Sequence, residues 1–134
     1  MTECDIAIIG AGPTGLYAAY YAGFRGLSTS VIDVLPELGG QISAMYPEKN
    51  IYDVAGFPVI KGQDLVNGLA EQARAFNPTF LLNECVMTLE QDDTTKSVHL
   101  VTDKGSHINA KACIITGGIG SFTPRELPAG NEFV

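Results

Sequence analysis

Apolar positions open this chain in short, dense runs. Cys4 to Ile9 is nearly continuous and ends on glycine, the pattern of a parallel strand buried on both faces. Leu16, Ala19, Tyr20 and Gly23 then recur at helical spacing, predicting a helix from Pro13 to Gly26 whose proline is preorganised for the first turn. Thr29 to Val34 predicts the next strand. Strand, helix and strand together make a βαβ unit, whose crossover is expected to be right-handed.

The pattern changes from Leu35 to Lys61, where Gly, Pro and Tyr replace regular apolar repeats apart from a short helix over Gln41 to Met45. A long irregular stretch inside a compact domain is usually functional. Periodicity returns at Gly62, with Asp64 in the first turn of a helix lined by Leu65, Leu69, Ala73 and Phe76, and Asn77-Pro78 stopping it. Strand patterns follow at Thr79 to Leu82, Cys85 to Gln91, Ser97 to Thr102 and Ser106 to Asn109, with polar turns after the second and third. These predict a small antiparallel meander. A last apolar strand, Ala112 to Thr116, runs into Gly117-Gly118 and returns the chain to the parallel sheet.

The junction between the first strand and helix carries the chemistry. Gly10-Ala11-Gly12-Pro13-Thr14-Gly15 opens the helix, and Asp33 stands near the end of the following strand. Gly10 suits a tight turn, Gly12 lets backbone approach a pyrophosphate, and Gly15 lets helix pack closely on strand. Free N–H groups at the positive helix end then hold the phosphates. A carboxylate at Asp33 accepts from a ribose diol and repels a 2′-phosphate, so this site is expected to take FAD or NAD rather than NADP. The fold class expected is α/β and Rossmann-like, with a central parallel sheet, helices on its faces and the β meander.

Composition narrows the partners. In 134 residues, 46% hydrophobic and 17% charged, no apolar run has the length of a membrane span, and a net charge of −7 opposes nucleic acid or an anionic membrane surface. Asp5 interrupts the first apolar segment with no basic stretch before it, so no secretory signal is expected. Cys4, Cys85 and Cys113 are widely spaced, without CxxC or metal-ligand spacing, and are read as reduced thiols of a cytoplasmic protein. His99 and His107 fall in the meander and are read as ordinary sheet residues; no metal site is expected.

The long loop separates FAD from NAD. Gly39-Gly40-Gln41, Tyr46 and Tyr52 supply close backbone approach, an amide that both donates and accepts, and aromatic faces, which suits a flavin held at its polar edge and covered on its face. A surface loop with two structural tyrosines is the plainer alternative.

Together with the glycine turn, the segments Leu38 to Gln41, Tyr46 to Lys49, Tyr52 to Pro58 and Gly117 to Arg125 resemble the thioredoxin-reductase-like ferredoxin/flavodoxin–NADP reductases over essentially the whole chain. The resemblance implies the N-terminal FAD-binding part of a domain split by an inserted NADPH domain. Residues 1–118 would form that part, and 119–134 would connect toward the absent domain. It further implies Thr14 at the pyrophosphate, Asp33 on the adenosine ribose, and Gln41 and Tyr46 toward the flavin. Val86 would meet adenine through its main chain, Phe122 would pack against FAD, and Gly40 and Gly117 would also bind the cofactor. NADPH would be the hydride donor, ferredoxin or flavodoxin the acceptor, and the protein a homodimer.

No side chain is expected to act as acid, base or nucleophile, because the flavin carries the chemistry. This chain alone is expected to be inactive, lacking a second glycine motif. Thioredoxin reductase is the rival enzyme reading, its CxxC falling in the absent domain. A non-catalytic FAD- or nucleotide-binding fragment is the rival from another class.

Overall fold

The computed structural model describes residues 1–120. Strand β1 (Thr2–Ile9) leads through the glycine turn into helix α1 (Pro13–Phe24) and strand β2 (Thr29–Asp33). A short helix α2 (Gly40–Met45) and the two-residue strands β3 (Asn50–Ile51) and β4 (Ile60–Lys61) follow, then helix α3 (Gly62–Arg74). Four strands complete the order: β5 (Thr79–Leu82), β6 (Val86–Gln91), β7 (Val98–Thr102) and β8 (His107–Ile115).

The main sheet runs β5-β2-β1-β8-β7-β6. Its first four strands are parallel and its last three antiparallel. The two final strand patterns in the sequence are one continuous strand. β8 pairs antiparallel with β7 over His107 to Ala110 and parallel with β1 over Ile108 to Ile115, so one strand serves both the meander and the parallel sheet. Asn109 to Lys111 reads as a break because polar side chains interrupt the apolar run, but two hydrogen-bonded neighbours hold the backbone extended. The stretch from Leu35 to Lys61 is also less irregular than its composition suggests. Asn50 pairs with Lys61 and Ile51 with Ile60, and the Gly62 amide donates to the Lys49 carbonyl at 2.9 Å.

Alternation along the strands divides the core in two. Ile8 and Val31, with partly buried Ile6, Phe80 and Leu82, meet Leu16 and Ala19 of α1 and Ala70 and Ala73 of α3. Their neighbours Ala7 and Ile32, with partly buried Ile9 and Leu81, face the other way and meet Val98, Leu100, Ile108 and Ala110. Both long helices therefore cover one face, and the meander covers the other. On α3 the buried apolar side chains are Leu65, Val66, Ala70 and Ala73, while Phe76 lies beyond the helix end and is 40% exposed. Phe76 instead closes the seam between the helices, its ring 5.8 Å from that of Tyr20.

Candidate functional site

The carboxyl ends of β1, β2 and β8 converge where β1 lies between its two parallel neighbours, the crevice in which open α/β sheets bind ligands. A cavity of about 460 Å³ opens there, within the range of small-molecule sites. Gly10 has φ +105°, and a side chain there would strike the Thr116 carbonyl. A Cβ on Gly15 would strike the Gly10 carbonyl and come within 2.8 Å of Thr116 Oγ1. Gly12 differs, since the nearest atom to a Cβ there is Gly40 Cα at 3.9 Å. The first and third glycines answer to the chain's own packing. The second faces open space inside the cavity.

Helix α1 begins without side-chain help. Gly12 is its N-cap, Pro13 opens the first turn, and among the described residues no side chain caps it and no acidic residue lies in that turn. The Thr14 and Gly15 amides precede the first i to i−4 bond, in which Leu16 N–H donates to Gly12 at 2.9 Å. Such an end suits an anionic oxygen.

Asp33 joins this turn directly. Its Oδ2 accepts the Ala11 N–H at 2.6 Å and its Oδ1 accepts the Leu35 N–H at 2.8 Å. Each oxygen keeps one further lone pair, so the carboxylate can hold the turn and still accept from a diol. Gly39 draws the loop onto the same turn, its amide donating to the Ala11 carbonyl at 2.8 Å. Gly40, at φ +60°, then passes so close that a Cβ on it would lie 3.0 Å from Gly12 Cα. Gln41 and Tyr46 extend the wall, and Lys49 Nζ sits 5.2 Å from the Tyr46 ring centroid.

The cavity brings together Gly10, Gly12, Pro13, Thr14, Asp33, Gly40, Gln41, Tyr46, Val86 and Gly117. Gly15 lies behind the turn rather than in the wall, as its packing role requires. Tyr52 does not line the cavity and is 69% exposed. Phe122 lies outside the described residues.

Sequence reasoning passed over Thr116, whose hydroxyl sits between the carbonyls of Ile9 and Gly10 at 2.9 and 3.1 Å and shares its proton between them. Its signal was available, because a polar residue ending an apolar parallel strand beside β1 must fall at the same crevice. Glu84 and Cys85 also line the wall. The Cys85 main chain is held at both ends by Asp103, whose Oδ1 accepts its N–H and whose N–H donates to its carbonyl, each at 2.9 Å. Burial pushes the Cys4 and Cys113 thiols up from their ordinary value, so these two stay protonated.

Comparison with known proteins agrees with this geometry. The family described as pyridine nucleotide-disulphide oxidoreductase matches residues 4–134. A ferredoxin–NADP reductase of Nocardioides sp. (strain ATCC BAA-499 / JS614) is 57% identical over 98% of this chain and 41% of its own length. A ferredoxin–NADP reductase of Salinispora tropica is 57% identical over 100% of this chain and 41% of its own. The crystal structure of a thioredoxin reductase from Streptococcus pyogenes superposes with a TM-score of 0.72 at 29% identity, over 85% of this chain and 35% of that one. The chain thus spans about two fifths of the curated relatives' length.

Proposed function

This chain belongs to the pyridine nucleotide-disulphide oxidoreductase family, and from that premise we propose that it is the FAD-binding part of an NADPH-dependent reductase that passes electrons to ferredoxin or flavodoxin. The observation that carries this reading is the uncapped α1 end, set between Gly12 and Asp33 in a cavity that continues to Gln41 and Tyr46. Thr14 and the first-turn amides take the pyrophosphate, and the free lone pairs of Asp33 take the adenosine ribose. Val86 offers main chain to the adenine, while Gly40, Gln41 and Tyr46 bound the flavin end, and Gly117, which also lines the cavity, is assigned to the same cofactor. Phe122 is assigned to packing against the same cofactor.

When bound, FAD supplies hydride acceptance from NADPH and release of single electrons. The residues described here bind and orient it. Residues 1–118 form this unit, and 119–134 lead toward an NADPH-binding domain. Three free cysteines suit a reducing compartment, and we place the protein in the cytoplasm as a homodimer.

Thioredoxin reductase shares the architecture, but the 57% identity lies with ferredoxin–NADP reductases. The deciding experiment offers the full-length protein NADPH with ferredoxin, flavodoxin or thioredoxin as acceptor. Ferredoxin or flavodoxin is expected to be reduced faster, and preference for thioredoxin overturns the proposal.

A further inference from the structure

A polar cluster on the meander stands apart from the dinucleotide crevice. Glu3 of β1 lies opposite Asn109 of β8, and Asn109 lies opposite His99 of β7. His107, two positions before Asn109, shares its side of β8. Side chains complete the row: Asn109 Nδ2 donates to Glu3 Oε1 at 2.8 Å. A carboxylate only accepts, which fixes the carboxamide orientation and turns Oδ1 toward His99 Nδ1. That oxygen in turn only accepts, so His99 Nδ1 carries its proton and Nε2 is the lone-pair nitrogen of the neutral ring. Nε2 then faces His107 Nδ1 at 3.1 Å, with ring centroids 5.2 Å apart and planes inclined at 38°.

A neutral hydrogen bond from His107 Nδ1–H to His99 Nε2 fits this contact, and so does a divalent metal ion that takes the place of that proton. A borderline divalent ion bound at about 2.0–2.1 Å, with ligand angles between square and tetrahedral, sets its two nitrogens roughly 2.9–3.4 Å apart. The pair already stands at such a separation. Its support is also that of a metal site, since ligating histidines almost always donate their second N–H to a fixed acceptor. Here that acceptor is Asn109, itself held by Glu3.

We propose that His99 Nε2 and His107 Nδ1 form a two-nitrogen site for a divalent transition ion of the Zn²⁺ class, positioned through Asn109 and Glu3. Among the described residues, no group of three or more His, Cys, Asp or Glu side chains is arranged to hold a metal, so water completes the coordination sphere and the ion exchanges readily. Exposure of His107 and part-exposure of His99 give the ion access from solvent. Hard ions such as Mg²⁺ prefer oxygen ligands and are excluded by the donor set.

Calorimetric titration of the full-length protein, without a histidine tag, uses ZnCl₂ alone and MgCl₂ as the control. One saturable Zn²⁺ site at micromolar ion is expected to vanish in His99→Ala and in His107→Ala, with no Mg²⁺ heat from this site. Asn109→Ala keeps both ligands and weakens binding by about 10–100-fold, as loss of an orienting partner does. Absence of saturable Zn²⁺ binding in the natural sequence, or a Zn²⁺ stoichiometry that neither histidine substitution changes, overturns the proposal. Both rings reach solvent, so unchanged melting temperatures in the two variants separate lost binding from lost folding.

Discussion

Gly10, Gly12 and Gly15 look equivalent in a motif, but only the first and third are demanded by neighbouring atoms. Gly15→Ala forces its new methyl group against the Gly10 carbonyl and Thr116, and is expected to cost about 1–3 kcal/mol of folding stability, as overpacking does. Gly12 has φ −70° and room for a Cβ, so Gly12→Ala is expected to change stability by less than about 0.5 kcal/mol. It is nevertheless expected to lower FAD retained after dialysis, because the added methyl group occupies the ligand's approach. Urea denaturation and flavin absorbance measure the two effects separately. Equal loss of stability in both variants would show that the second glycine, too, serves only the protein's own packing. Asp33 has a comparable double character, since the carboxylate expected on a ribose also fastens the turn through Ala11 and Leu35. The sequence indicates the residue type and position, but the turn-holding role needs the distance between segments that folding brings together.

At the scale of elements, β1 and β8 are joined near their midpoints by charge as well as by their ladder. Asp5 Oδ1 lies 2.7 Å from Lys111 Nζ, and its Oδ2 accepts the Ser28 N–H at 2.8 Å. The lysine, then the serine, hold the Asp5 carboxyl down from 3.8 to about 2. A carboxylate whose folded value lies below its unfolded one stabilises fully above the unfolded value and loses that contribution as pH falls through the folded value. The Asp5 contribution is therefore complete above about 3.8 and disappears as pH drops toward 2. Asp5→Asn is expected to flatten the stability profile across that window. Thermal melts of both proteins from pH 5 to pH 2 test it, and parallel profiles would remove Asp5 from the acid response. The period-2 and helical patterns placed most elements closely. They split β8 because a local pattern cannot show that one strand has different neighbours at its two ends.

Across the described residues, the parallel strands are held between two helices and a meander, and removing either layer would expose the face of the sheet that it covers. Leu100 is fully buried against Ala7 and Ile32 in the layer formed by the meander. Leu100→Ala is expected to cost about 2–5 kcal/mol and to preserve a single cooperative transition. Fluorescence and circular dichroism during urea unfolding report on both layers, and separate transitions would make the meander an independent unit. By itself, the sequence determined the βαβ start, the glycine turn with its acid and the α/β class, because each is written in local spacing and residue chemistry. Only the tertiary structure decided that both long helices share one face, that Thr116 buttresses the turn, that Tyr52 stands away from the cavity, and that His99 meets His107. Those outcomes depend on strand order and register, which bring together residues whose separation along the chain carries no periodic signal. The glycine turn thus identifies the ligand class early, while the surrounding crevice depends on the distant strand β8 arriving beside β1.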